Sequence, residues 1–393
     1  MEKIKINNIF EIIIIIINVL LFMNGIPIIS NYIMEMISLL VFIEICYVLN
    51  NGKNIKITNL NKSIFIFFLI LIFISFGFLY SFNLSTQKTY FLRFVVFFAQ
   101  MFFVFRDKFV YKIFDFVKVL GCFVALTIIY DNLFISKGYE PHGILEDYQR
   151  AGQCMCFLSI ISSLSLLLGL KKEKKLDCLS LIFGFITLLF LNKRMFLFLP
   201  IFIGFVVYII YFRFKLNPKV IGIFFSCVIL FLGIYAIFPQ IGATITRFVE
   251  NIDDKTYTFR TVFWDYAKKL FYKNKIIGIG FGTFPNYLES LNISSLPGFA
   301  AHNIYYQLLA ETGIVGTTLF ILFFSYNLLR TFIYLHRHKN YKIIYFSLAF
   351  QLWFVIYGFT GNPLYLAEEI YIYLFGVCLL YNPNTFGSSY EKK

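Results

Sequence analysis

The chain has 393 residues, of which 59% are hydrophobic, 53 are phenylalanine and only 14% are charged, with a mean hydropathy of +0.76. A soluble domain carries about 25% charged residues, so the composition excludes an ordinary soluble enzyme and predicts an all-α integral membrane protein. The net charge of +14 would suit a nucleic-acid binder, but its distribution along the chain excludes that reading.

A membrane-crossing helix needs about 20 apolar residues, and its backbone groups must bond within the segment. Twelve such runs are predicted, at about 8–24, 27–49, 63–82, 89–105, 113–135, 152–170, 176–192, 195–213, 219–239, 303–329, 342–360 and 364–381. The first follows Lys3 and Lys5 as a signal peptide would. "MNGIPIISNY" offers no small-x-small cleavage site and another run follows at once, so it is read as a retained span. The whole chain, 1–393, is expected to form a single polytopic domain. Seven cysteines lie in or at the ends of apolar runs, without the spacing of a disulfide framework or a zinc site. Cys154 and Cys156 are expected to be packing residues.

Lysine and arginine orient the array, because they concentrate in cytoplasmic loops. With the N-terminus inside, that face receives Lys53, Lys56 and Lys62, then Arg106, Lys108 and Lys112, then the cluster Lys171, Lys172, Lys174 and Lys175, then Arg213, Lys215 and Lys219, and finally Arg330, Arg337, Lys339 and Lys342. The alternation predicts both termini inside. It leaves one long loop, 240–302, on the outer face. Within it, Phe259, Val262, Phe263, Tyr266, Ala267, Leu270 and Phe271 recur at helical spacing, which predicts an amphipathic helix lying in the membrane interface.

Several polar residues fall where lipid makes them costly or where the charge rule does not expect them. Arg150, Lys193, Arg194, Arg260 and His302 all map to the outer face. Each could be a snorkelling anchor. Together they form a cationic set suited to a lipid that carries phosphate or pyrophosphate. In "HNIYYQLLAETGIVG", Asn303, Gln307 and Glu311 are spaced by four and make one polar stripe. His302 is nine residues from Glu311 and half a turn out of phase, so the two do not pair in a straight helix. Gly313 and Gly316 are expected to admit a neighbouring helix. On residue type alone His302 is either a hydrogen-bonded interfacial histidine or a general base. "GIGFG" at 278–282 follows no strand and is read as a tight turn leading back to the membrane. His142 has Glu146 and Asp147 nearby, but a metal site there is the lesser reading. Glu35, Glu44 and Asp115 are read as structural pairs or interface residues.

The His302–Gly316 stretch resembles the signature of the O-antigen ligase/polymerase superfamily, in which His-Asn is followed by a Leu and then Glu-x-Gly-x-x-Gly. His302, Asn303, Leu308, Glu311, Gly313 and Gly316 stand at matching places. Upstream, Arg260, Trp264, Gly278, Gly280 and Phe284 resemble the family's loop segment, and Arg194 resembles its basic turn, where Asn192-Lys193 replaces a small residue. The resemblance implies a bacterial inner-membrane glycosyltransferase, active at the outer face, that uses a polyprenyl-pyrophosphate-linked glycan donor and needs no metal or other cofactor. It implies that His302 takes the proton of an acceptor hydroxyl, that Arg194, Arg260, Arg150 and Lys193 hold the pyrophosphate, and that Asn303, Gln307 and Glu311 support them. Partners would be the glycan acceptor, membrane lipids, and a chain-length regulator or flippase. Polymerase is favoured over ligase, since no extra acceptor-binding domain is visible. A transporter of lipid-linked glycan is the reading from another class. It would place cations in mid-span and make the two halves alike, which they are not.

Overall fold

A computed structural model of the protein describes residues 2–27, 31–50, 55–57, 62–105, 107–136, 140–170, 174–191, 193–212, 255–291 and 300–381. The described chain is almost wholly helical. In order its helices are α1 Glu2–Phe22, α2 Ile33–Leu49, α3 Lys62–Phe76, α4 Leu84–Gln100, α5 Asp107–Tyr130, α6 Tyr148–Leu167, α7 Lys175–Phe190, α8 Arg194–Tyr211, α9 Lys255–Lys273, α10 Phe284–Ser290, α11 Ile304–Arg337, α12 Ile343–Tyr357 and α13 Ala367–Leu380. Four stretches are long and apolar enough to cross a membrane: Lys62–Leu79, Asp107–Ile135, Tyr148–Leu167 and Ile304–Arg337. Shorter apolar helices add Asn7–Phe22, Met195–Tyr211 and Ile343–Tyr357. The expected span 219–239, the start of the long loop at 240–254 and its segment 292–299 lie outside the described residues.

One run differs in kind from the expectation. The stretch read as helix through residue 105 leaves the helix at Gln100, and Phe103–Phe105 forms a strand, β2. It pairs antiparallel with β1, Ile55–Ile57, in the register Ile55↔Phe105, Lys56↔Val104 and Ile57↔Phe103. The reason is local: β-branched and aromatic residues favour the pleated form, and each strand supplies the backbone partners that the other needs. The pairing joins two loops that the charge pattern places on one face.

The chain divides into two compact units. The first comprises residues 1–17, 33–110 and 255–393. Its described core is dense in aromatic rings: Phe67 stacks on Phe94 at 5.7 Å, and Phe281 stacks on Phe320 at 5.4 Å and on Tyr365 at 5.2 Å. Polar bonds tie its helices and loops together. Ser63 donates to Asn327 at 2.8 Å, and Asn50 to Asn7 at 3.0 Å, joining ends that the charge pattern puts inside. Phe82 N–H donates to the Ile279 carbonyl at 2.8 Å, joining two loops that it puts outside. Glu44 is buried and accepts from Gln100 at 3.5 Å, in keeping with a structural role.

The second unit comprises residues 18–32 and 111–254. Phe22 meets Phe114 and Phe157 edge to face at 6.4 and 6.0 Å. Lys118 of α5 bonds Asp177 of α7 at 2.5 Å, with both side chains buried and Asp115 at 3.4 Å, so Asp115 is also a structural pair. Ser162 and Ser180 bond at 2.7 Å across α6 and α7.

Candidate active site

The start of α11 is over-determined. Asn303 is its cap, in extended conformation, and its side-chain oxygen accepts from the N–H groups of Tyr305 and Tyr306. This satisfies two of the donors that every helix start leaves open. The other end of the same amide donates to the Phe359 carbonyl at 3.2 Å, and Ile304 N–H donates to the Gly358 carbonyl at 2.9 Å. Asn303 therefore docks α11 on the end of α12 rather than continuing the polar stripe of its helix.

On the other side of His302, Ala301 is held from both directions. Its carbonyl accepts from Trp264 Nε1 at 2.9 Å. Its N–H donates to Gln307 Oε1 at 3.0 Å. His302 is thus one residue between two fixed neighbours, and it adopts φ 51°. That left-handed conformation costs an L-residue with a side chain about 1–2 kcal/mol, and strain of this kind concentrates at functional sites. The half-buried imidazole precedes the helix cap instead of opening the helix.

Gln307 and Glu311 pair as the four-residue spacing predicts, Gln307 Nε2 donating to Glu311 Oε1 at 3.0 Å. Glu311 is fully buried and meets three further donors. Phe284 N–H reaches Oε1 at 2.9 Å, Gly282 N–H reaches Oε2 at 2.7 Å, and the Tyr365 hydroxyl reaches Oε2 at 2.6 Å. Two donors on each oxygen fill the acceptor sites of a carboxylate. Among the described residues Glu311 answers its burial with hydrogen bonds and not with an ion pair.

Two residues beyond it the helix breaks. Gly313 sits at φ 59°, ψ −161°, inside α11. Gly313 was expected to admit a helix. It breaks one, and what approaches it is the backbone of Ile276 and Ile277. Gly316 does receive a helix, through the ring of Phe73 on α3. The "GIGFG" turn supplies what the break leaves open. Ile279 N–H donates to the Ala310 carbonyl at 3.2 Å and Gly280 N–H to the Glu311 carbonyl at 2.9 Å. Beyond the break, Ile314 N–H donates to Lys275 O at 2.8 Å and Val315 N–H to Ile276 O at 3.1 Å. A break in an apolar helix is tolerated only with such replacement bonds. Gly278 has φ 71°, and an added Cβ would strike the backbone of Glu311 and Thr312. The turn is therefore a docking element that reads Glu311, beyond the simple return to the membrane expected of it.

α9 is the amphipathic helix that the spacing predicts, but its apolar stripe packs on protein. Phe263, Ala267 and Leu270 are buried with Ile279, Phe284, Leu288, Ala301 and Ala310, and Val262 and Tyr266 pack against them. Of the stripe's described residues, Phe263, Ala267 and Leu270 therefore face protein. Arg260 stands one turn before Trp264 on this helix. It is half-buried and makes no hydrogen bond or ion pair with any described residue. The Trp264–Ala301 bond thus ties the Arg260 helix to the residue preceding His302.

The remaining expected cations belong to the second unit. Arg150 is ion-paired with Glu146 and lies 3.8 Å from Asp147, the residue that caps α6, so carboxylates of its own segment already offset its charge. Lys193 lies over the Tyr148 ring at 3.7 Å. Arg194 is the first residue of α8, and its side chain lies outside the described part. His142 turns Nδ1 to the Leu145 carbonyl at 2.6 Å. Sequence reasoning did not find Tyr365 or the loop amides as partners of Glu311. Tyr365 is 54 residues away with no motif to mark it.

A comparison with curated proteins finds no match. Residues 179–321, which include Lys193, Arg194, Arg260, the glycine turn and the His302–Gly316 stretch, match the family model described as O-antigen ligase, and this match supports the chain's place in the O-antigen ligase/polymerase superfamily.

Proposed function

We propose that the protein is a membrane glycosyltransferase that polymerises glycan repeats carried on polyprenyl pyrophosphate at the outer face of a bacterial cytoplasmic membrane. The family match indicates an O-antigen ligase-like membrane enzyme. The observation that carries the finer reading is the pinning of His302. Its two neighbours are fixed, its backbone is held left-handed, and one of the fixing bonds comes from the helix that carries Arg260.

In this reading His302 accepts the proton of the acceptor hydroxyl as that oxygen attacks the anomeric carbon of the donor. The bond from the anomeric carbon to the pyrophosphate oxygen breaks, and the electron pair leaves with the lipid pyrophosphate. Arg260 meets the charge that develops there, where a guanidinium with unspent donors is most effective. Arg194, Lys193 and Arg150 of the second unit are candidates for binding pyrophosphate from the sequence resemblance alone, Arg150 the weaker because it is already paired with Glu146. Asn303, Gln307 and Glu311 hold the peptide on which His302 stands. They are positioning residues.

A second reading is ligation, transfer of the finished glycan to lipid A core or protein, and the matching family model is described as O-antigen ligase. Purified protein given lipid-linked repeats alone separates the two. Ladders of increasing length support polymerisation. Product formed only after a different acceptor is added supports ligation. No product from either, with His302→Gln indistinguishable from wild type in donor turnover, sinks the transferase reading.

A further inference from the structure

A groove of about 660 Å³ opens between the turn after α3 and the end of α9. Arg260 and Lys273 are thirteen residues apart on α9, which is about 20 Å of helix. Two bonds set the walls of the groove: the Tyr80 hydroxyl donates to Ile277 O at 3.0 Å, and Phe82 N–H donates to Ile279 O at 2.8 Å. Lys273, Asn274 and Lys275 line it together with Tyr272 and Ile276, and no carboxylate among the described residues does. Neither lysine has a salt bridge among the described residues, and Lys275 lies only over the Tyr272 ring, at 5.8 Å.

The rim is apolar. Ile276 is 69% exposed, Leu79 83%, and Ile277 and Phe82 are exposed beside them. Leu79 ends the stretch Lys62–Leu79, one of those able to cross a membrane. Exposed leucine and isoleucine at the end of such a helix mark the boundary between acyl chains and headgroups, where tyrosine and lysine are also at home. A groove for a water-borne sugar would not need that rim. We infer that the groove is a binding site for an anionic phospholipid, whose phosphate sits between Lys273 and Lys275 and whose acyl chain lies along Ile276 and Ile277. Lysine suits this task as a mobile point charge, whereas a planar two-point grip would call for arginine. Lys273, in the last turn of α9, also meets the negative end of the helix dipole, so Lys275 is the stronger partner. The inference does not depend on the catalytic reading.

The test uses the full-length protein in neutral detergent with phosphatidylglycerol or phosphatidylcholine added, and retained lipid is counted by native mass spectrometry. Wild type should retain phosphatidylglycerol in preference to phosphatidylcholine. A basic residue at a membrane surface contributes about fivefold in binding, so Lys273→Gln with Lys275→Gln should weaken retention about thirtyfold. Lys273→Arg with Lys275→Arg should keep it. Both lysines are exposed, so the fold should survive, as the arginine pair will check. Equal retention of the two lipids, or an unaffected glutamine pair, would overturn the site. Displacement of phosphatidylglycerol by polyprenyl pyrophosphate at a lower concentration would overturn the phospholipid assignment in favour of a substrate lipid, and displacement by a soluble acidic oligosaccharide would do so in favour of a glycan.

Discussion

Glu311→Gln is the sharpest probe of the site, because the two side chains have the same shape and differ only in what they can accept. The native carboxylate faces four donors: Gly282 N–H, Phe284 N–H, Gln307 Nε2 and the Tyr365 hydroxyl. In the least damaging arrangement the new amide oxygen keeps Phe284 and Gln307. The new NH2 turns Tyr365 from donor to acceptor and leaves Gly282 N–H with nothing. One buried orphan donor costs about 1–3 kcal/mol, and each remaining bond falls from charged to neutral strength, about 1 kcal/mol apiece. The sum is about 4–6 kcal/mol, a large part of the stability of an ordinary domain. Equilibrium unfolding in mixed micelles measures it. Limited proteolysis of the 274–283 turn should accelerate in the variant, since that turn loses its anchor. A variant within about 0.5 kcal/mol of wild type, the range of an inconsequential surface change, would refute the reasoning and mean that Tyr365 already accepts from Glu311.

His302→Ala and His302→Gln should both lower turnover by about 10²- to 10⁴-fold with donor binding retained, the usual contribution of a general base. His302→Gly should be as inactive yet more stable than the alanine variant by about 1–2 kcal/mol, because glycine relieves the left-handed backbone; equal stability would remove the strain argument. Arg260→Ala and Arg194→Ala should abolish product while the protein stays in the membrane, with lysine rescuing only in part for want of the bidentate fork. Normal product from both alanine variants would reduce these residues to anchors. Reporter fusions at Lys174 and Glu289 should report opposite sides of the membrane, and a common side would discard the twelve-span topology.

Much of this architecture can be read from residue order. The apolar runs, the stripe of α9 and the spacing of Asn303, Gln307 and Glu311 all reflect periods that a helix imposes. What stayed hidden depended on partners distant in sequence or on backbone angles. A glycine in an apolar helix signals close packing and a break with the same letter, and only φ distinguishes Gly313 from Gly316. An amphipathic stripe has the same pattern whether it faces lipid or protein, so the packing of Phe263 and Leu270 on Ala301 and Ala310 could not be foreseen. Phe103–Phe105 looked like three more residues of an apolar run, because short apolar stretches carry no period that tells strand from helix.

A broken helix is ordinarily a place where a protein bends. Here one loop grips both sides of the fracture, through the carbonyls of Ala310 and Glu311 above it and the amides of Ile314 and Val315 below. It works as a splint. The angle between the two pieces of α11 is therefore set by the length and stiffness of the loop rather than by the helix itself. Any pull on that loop is delivered, through nine residues of rigid lever, to the peptide that carries His302.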